Sequence, residues 1–291
     1  MNERLLITGV SGFIGRYVAE EARRRGYRVT GVDRKRSHLD GIEFIEADIR
    51  DRERIRQAMK AQACVVHLAA VTSNVEFIKH PAECYDINAN GSLSIMDAAA
   101  QSGCRRLVYA SSAAVYLESF VEDTVIDFRK QSNHYAKTKM MNEMVAGSYA
   151  DIYRMKTTGL RYVNVYGTGE NEKGDYASIV TLFLKAKRNH EPLLVYGDGK
   201  QSRDLIHVTD AARITLDLLE KGTEDIYNVG TGVSTTYTTI AAMIEKDNIR
   251  YVPNPLPNYQ HYTKADTRRL RAALGNYEFV ELREGIIDTQ L

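Results

Sequence analysis

Leu5-Leu6-Ile7-Thr8-Gly9-Val10-Ser11-Gly12-Phe13-Ile14-Gly15 is the stretch that decides the fold. A short apolar run breaks at Gly9, and a helical pattern resumes at Phe13 with Ile14, Tyr17, Val18 and Ala22. A strand that turns through glycines into a helix N-terminus makes an anion site. The first N–H groups of the helix lack partners, and its dipole adds partial positive charge. Glycines at 9, 12 and 15 let the turn close and let a pyrophosphate reach the backbone. The pattern predicts a dinucleotide-binding unit at the head of the chain, with a plain strand-turn-helix as the alternative.

The segments that follow extend the same design. Residues 27–33 read as a second strand ending in Asp33, 18 positions past Gly15. A carboxylate there accepts hydrogen bonds from the adenosine ribose and repels a 2′-phosphate, which favours NAD over NADP. Arg34, Lys35 and Arg36 follow at once and offer such a phosphate a partner. The alternative role for Asp33 is to cap its strand. Residues 42–46 predict a third strand leading to Asp48-Ile49, residues 50–60 a helix, and residues 63–68 a buried fourth strand. That strand runs into His67-Leu68-Ala69-Ala70, whose alanines leave room for a ligand at its C-terminal end. His67 reads as a packed or hydrogen-bonded histidine rather than a base. Residues 88–102 predict a helix closed by Gly103, and residues 105–111 a fifth strand. This order is that of a parallel sheet wound by helices.

Composition narrows the class. A chain of 291 residues buries a substantial core, and 39 Lys+Arg against 38 Asp+Glu leave a net charge of +1. No global field favours nucleic acid or a membrane surface. Cys64, Cys84 and Cys104 form no CxxC pair, so neither a disulfide framework nor a metal site is expected, and a reducing cytoplasm fits. No apolar run reaches the ~20 residues that span a bilayer. The first strand opens within a few residues of Met1, so no signal peptide is expected.

The chemistry lies further on. The fifth strand ends in Ala110-Ser111-Ser112-Ala113-Ala114-Val115-Tyr116, and a helix then starts at Tyr135-Ala136-Lys137-Thr138-Lys139. Tyr135 and Lys139 stand at i and i+4 and project from one helical face. An adjacent ammonium favours the phenolate and is expected to lower the tyrosine pKa from its ordinary ~10. A serine hydroxyl from the strand end completes a donor pair on the reacting oxygen.

Taken in order, TGVSGFIG, HLAA, YASSAAVY, YAKTK, LRYVNVYG, GDGKQSRDLIHVTD and YNVGTG resemble the extended short-chain dehydrogenase/reductase family. Within it the chain is similar to the nucleotide-sugar epimerases, UDP-glucose 4-epimerase-like with some features of the ADP-glycero-manno-heptose 6-epimerases. The resemblance implies a Rossmann-type doubly wound parallel sheet with a smaller C-terminal substrate lobe. Residues 1–164 plus 204–229 are expected to bind NAD, and residues 165–203 plus 230–291 to form the lobe. It makes Ser112, Tyr135 and Lys139 the catalytic triad; Ser112 is chosen over Ser111 because it directly precedes the small pair before Val115-Tyr116. It lays the cofactor against Gly9, Gly12, Phe13, Ile14, Gly15, Asp33, Asp48, Ile49, Leu68, Ala69, Ala70, Asn88, Lys139 and Tyr162. The substrate diphosphate falls to Asn164 and Arg203; Lys173 matches a second base beside the sugar, with the favoured alternative an exposed loop lysine that at most helps attract the diphosphate. The implied partner is a nucleotide-diphosphate sugar, with no nucleic acid and no membrane. The family also implies a homodimer paired through helices 88–102 and 135–149, with Leu93, Met96, Ala100, Ala136, Met140 and Met144 as the apolar stripes.

The remaining elements expected are a sixth strand over residues 155–165, a helix over 176–188, a strand over 192–196, a helix over 208–220 and a strand over 226–229. A helix from Thr235, a proline-punctuated segment around Pro253, Pro255 and Pro257, and helices over 265–274 and 281–287 complete the chain.

Three departures bear on activity. Leu117 stands where the family has glycine, and residues 117–133 carry neither Gly nor Pro. Ala113 and Ala114 replace the acid pair of the family's dehydratases, and elimination of water then lacks its proton donor. No arginine precedes Ala265-Asp266, where His261 or Lys264 stands in. The leading expectation is NAD-dependent C4 epimerisation through a transient keto sugar. The alternatives are a heptose-type 6-epimerase, suggested by Glu172-Lys173-Gly174 and Tyr262-Thr263-Lys264-Ala265-Asp266, an NAD(P)-dependent reductase or dehydrogenase, and a non-catalytic nucleotide sensor.

Overall fold

The computed structural model describes residues 3–36, 39–117, 119–170, 173–174, 177–223, 225–254 and 260–289. Alternating strands and helices open it: β1 Arg4–Thr8, α1 Phe13–Arg24, β2 Arg28–Asp33, β3 Glu43–Glu46, α2 Arg52–Met59 and β4 Cys64–His67. Two short helices, α3 Asn74–Lys79 and α4 Pro81–Tyr85, lead through a π-helical turn at Asp86–Gly91 into α5 Ser92–Gln101. Then come β5 Arg106–Ser112, α6 His134–Tyr153, β6 Lys156–Tyr162, β7 Asn164–Tyr166, α7 Ile179–Arg188, β8 Leu193–Tyr196 and β9 Ser202–His207. The chain ends with α8 Val208–Lys221, β10 Ile226–Val229, β11 Ser234–Thr236, α9 Tyr237–Ile244, β12 Ile249–Val252, α10 Arg268–Leu274 and α11 Leu282–Asp288.

Seven strands form one sheet in the order β10-β6-β5-β4-β1-β2-β3. All six pairings are parallel. The strands alternate their side chains between two cores. Leu5 and Ile7 pack with Val18, Ala19 and Ala22 of α1 and with α8, while Leu6, Val65 and Leu107 pack with Ile95, Met96 and Ala146 of α5 and α6. This is the doubly wound Rossmann arrangement expected from the sequence. The order reverses between β1 and β4, so a crevice opens beyond their C-terminal ends.

Two smaller sheets, β11-β9-β7 and β12-β8, lie outside the main one. Here the structure departs from the sequence reading. The expected sixth strand breaks after Tyr162: Val163 still donates to Val229 O, but Asn164 begins β7 in another sheet, where its amide donates to Asp204 O at 3.0 Å. The helix expected over 88–102 starts earlier, in the π turn, where a Cβ on Gly91 would lie 2.6 Å from Ile49. Strands β9, β11 and β12 were not expected. The helix expected from Tyr176 starts at Ile179 on the Ser178 cap, and Tyr176, Glu172, Pro255, Pro257 and part of the segment before Ala265 fall outside the described residues. The loop after β5 is pinned rather than loose. Phe120 O accepts from Asn228 Nδ2 at 2.7 Å, Glu122 Oε1 from Asn228 N at 3.0 Å, and Ala114 O from Gln131 Nε2 at 3.0 Å.

Of the stripes expected to pair two chains, Met96, Ala136 and Met140 are buried within this one. Met144 stays outside, joined on α6 by Ile152 and Tyr153. Among the described residues no helix is long and apolar enough to cross a membrane.

Candidate active site

Gly9 turns β1 towards α1 at φ +70°, and a Cβ there would lie 2.7 Å from Ala69 N. Gly15 packs so close beneath the turn that a Cβ would sit 2.0 Å from Gly9 O. The two glycines therefore make a cradle that no side chain enters, with the N-terminus of α1 opening onto it. Two cavities flank it. One, of about 610 Å³, is lined by Gly9, Gly12, Asp33, Arg34, Lys35, Arg36, Asp48, Ile49, Leu68, Ala69 and Ala70. The other, of about 420 Å³, shares Gly9, Gly12, Leu68 and Ala70 and adds Phe13, Ile14, Gly15, Thr72, Ser112, Tyr135, Lys139, Tyr162 and Lys173.

In the first cavity Asp33 accepts from the backbone N–H of Ser11 at 3.1 Å and of Lys35 at 3.3 Å. It thus caps the turn as well as facing the cavity. Asp48 is held by Arg50 through two side-chain bonds of 3.0 and 2.7 Å, which keep its carboxyl below the usual range. Asn88 lies behind the wall: its amide closes on both backbone groups of Val71 and on Thr138 Oγ1, and it lines neither cavity.

In the second cavity Ser112, Tyr135 and Lys139 come together. The Lys139 ammonium donates to Ala110 O at 2.8 Å and lies 5.6 Å from the Tyr135 ring centre. Burial pushes the lysine down to about 8, against the opposing charge of Glu143. Tyr135 does not follow the sequence expectation. Burial raises it to about 12, with a Ser112 hydrogen bond pulling the other way, because its ring packs on Phe77 and the ammonium is turned to a carbonyl. Tyr162 presents its ring to the cavity while its hydroxyl bonds Thr215 at 2.6 Å. Lys173 reaches in from the loop after β7, 3.0 Å from the buried Glu170 and 4.7 Å above the Phe13 ring.

Asn164 and Arg203 are not drawn in. Asn164 bonds Asp204 O and Thr263, and Arg203 donates to Ser202 O and covers the Tyr237 ring. Among the described residues no group of three or more His, Cys, Asp or Glu is placed to hold a metal ion.

Two residues escaped the sequence reading. Glu143 takes both Arg161 Nε and Nη2, at 2.8 and 2.7 Å, and the Ser111 hydroxyl, so it ties α6 to the ends of β5 and β6. Its signal was present: Tyr135, Lys139 and Glu143 stand at i, i+4 and i+8 of one helix. Glu170 gathers Ser178 N, Ser178 Oγ, Thr181 Oγ1 and Lys173 Nζ around one carboxylate, and no spacing in the sequence foretold it.

Residues 5–230 match the profile of the NAD dependent epimerase/dehydratase family. The chain belongs to that family. Among curated members, an ADP-L-glycero-D-manno-heptose-6-epimerase of Alkalilimnicola ehrlichii is 31% identical over 97% of this chain and 95% of its own. A UDP-N-acetyl-alpha-D-glucosaminuronate decarboxylase of Bacillus cytotoxicus is 33% identical over 79% of this chain and 75% of its own. Among solved structures, the UDP-glucose 4-epimerase of Thermotoga maritima with UDP-glucose superposes with a TM-score of 0.89 at 28% identity, covering 98% of this chain and 97% of that one. The protein is an NAD-dependent enzyme of nucleotide-sugar epimerase type.

Proposed function

We propose that the enzyme inverts C4 of a nucleoside-diphosphate sugar by way of a transient keto sugar. The placement of Lys173 carries this reading. Its amino group is taken up by Glu170 at 3.0 Å and lies 4.7 Å over the Phe13 ring, contacts suited to a group that binds charge rather than to one that exchanges a proton with the sugar. A 6-epimerase of the heptose type needs a second acid–base group free to reach the sugar hydroxyl. The likeness to the Thermotoga maritima 4-epimerase supports the same choice, and Ala113 and Ala114 offer no proton donor for a dehydratase.

In this reading residues 1–164 and 204–229 hold the cofactor, and 165–203 and 230–291 hold the sugar nucleotide. Gly9, Gly12, Phe13, Ile14 and Gly15 receive the pyrophosphate, Asp33 the adenosine ribose, and Tyr162 the nicotinamide face. NAD held there would supply the hydride acceptor for the sugar carbon and, once reduced, the donor to its opposite face. Tyr135 removes the hydroxyl proton and later gives it back, and Ser112 holds the same oxygen. Lys139, whose ammonium now donates to Ala110 O, would offset the phenolate on turning towards it, since burial of that charge is otherwise costly. Asn164 and Arg203 take the diphosphate by sharing the bonds they now make within the lobe. The three buried free cysteines suit a reducing cytoplasm, and the exposed Met144, Ile152 and Tyr153 of α6 suit a homodimer.

One observation favours a second reading. Lys173 lines the cavity that contains Tyr135, where the second base of a heptose-type 6-epimerase would work. Lys173→Met, assayed on UDP-glucose and ADP-heptose, separates the two. A binding role alone predicts a raised KM with kcat nearly unchanged on the 4-epimer pair. A collapse of kcat with NAD binding intact, and preference for the heptose, would replace the C4 assignment.

A further inference from the structure

Behind the cofactor turn lies a polar network that the reaction itself does not use. Thr8, His67, Asn88, Ser92, Thr138 and Asn142 come from β1, β4, the π turn, α5 and α6, and none is more than 3% exposed. Its protons can be assigned one by one. Ser92 Oγ lies 2.6 Å from Asn88 O, a carbonyl that can only accept, so the single hydroxyl proton goes there. Ser92 Oγ then has lone pairs alone to offer its other neighbours, Asn142 Nδ2 at 3.0 Å and His67 Nε2 at 2.9 Å. His67 therefore carries its proton on Nε2 and presents a bare Nδ1. Thr8 Oγ1, 2.6 Å away, donates into that nitrogen and in turn accepts from Ala69 N at 3.4 Å.

Both ring nitrogens are committed, so the imidazole is a strut of fixed length and tilt. Its far end is α5 and, through Asn142, the turn of α6 that follows Lys139. Thr138, just before Lys139, is bonded to Asn88 Nδ2 at 3.2 Å. Its near end is Thr8, the residue before Gly9, and Gly9 has no spare room against Ala69. Burial, aided by the nearby Lys139 charge, pushes His67 down to about 3, so the neutral ring persists at working pH.

We propose that His67 is a positioning residue of the cofactor site, fixing the Thr8–Gly9 turn against Ala69 and in register with the stretch of α6 that bears Lys139. The inference concerns NAD alone and holds whichever sugar the enzyme takes.

The experiment is calorimetric titration of NAD into nucleotide-stripped protein, well below its melting temperature, for the wild type, His67→Gln, His67→Leu and Thr8→Val. Glutamine keeps one donor and one acceptor; leucine keeps neither; valine removes the proton given to Nδ1 together with the long bond accepted from Ala69 N. Leucine and valine should each weaken NAD by about tenfold, the scale of one lost buried hydrogen bond, and glutamine should restore most of the loss. A role in stability alone would lower the melting temperature and leave the NAD affinity of the folded protein unchanged. Affinity within about twofold of wild type in Thr8→Val, or an equal loss in His67→Gln and His67→Leu, overturns the proposal. Should His67→Leu fail to fold, Thr8→Val, which conserves volume, decides the matter by itself.

Discussion

Replacing Tyr135 by Phe removes one oxygen from the second cavity and alters its shape little. Turnover should fall by ~10²–10⁴, the usual share of a general acid–base group, while NAD binding stays near wild type; a steady-state assay beside an NAD titration tests both. In the proposed mechanism Lys139 sets the pH range over which that oxygen works. Its ammonium is present below about 8 and is lost as pH rises through that value, so kcat should decline on the alkaline side. Glu143 opposes the loss. Glu143→Gln should move the alkaline limb of the pH–rate profile to lower pH. It should also lower stability by roughly 3–5 kcal/mol, because Arg161 is left buried without its partner. A melt and a pH profile on the same preparation report the two effects separately. Asp33→Asn should shift preference from NAD towards NADP by roughly tenfold, the scale of a hydrogen bond to a charged group. Titration of both cofactors measures it, with Arg34, Lys35 and Arg36 left in place to receive the phosphate.

The turn between β1 and α1 is the element on which the proposed cofactor site rests, and it has little room for a side chain at Gly9 or Gly15. Gly15→Ala drives a methyl into the Gly9 carbonyl, where only backbone can give way. An overpacking cost of roughly 1–3 kcal/mol should appear as weakened NAD binding in a titration. This element was fully legible in the sequence, as were the five parallel strands before α6. Each of these is a self-contained apolar run bounded by Gly or by a helical pattern. Tyr135 and Lys139 were legible for the same reason, a fixed spacing on one helix. The elements that escaped owe their form to distant partners. β7 and β11 have three residues each and exist because β9 lies between them. The break after Tyr162 comes from Asp204 and Thr263 drawing on Asn164, 40 and 99 positions away. The pKa of Tyr135 could not be read either, since spacing gives the ammonium's neighbourhood but not that its protons face Ala110 O.

At the scale of the molecule, α6 presents Met144, Ile152 and Tyr153 outwards, and the proposed dimer should give twice the chain mass by light scattering at micromolar concentration. A monomeric mass would remove that assembly. The smaller sheets have a further consequence. The chain leaves the seven-stranded sheet after β6, builds β7, α7, β8 and β9, returns for α8 and β10, and leaves again for β11. Asp204 fastens the two excursions together, accepting from Thr231 N, Gly232 N and Ala265 N at 2.9, 2.9 and 3.0 Å. Recombination between relatives must respect that weave. A single crossover near residue 164 would marry one parent's β6 to the other's β10, whereas the two excursions, which hold the sugar nucleotide in the proposed reading, are transplanted cleanly only as two cassettes exchanged at once, one on each side of β10.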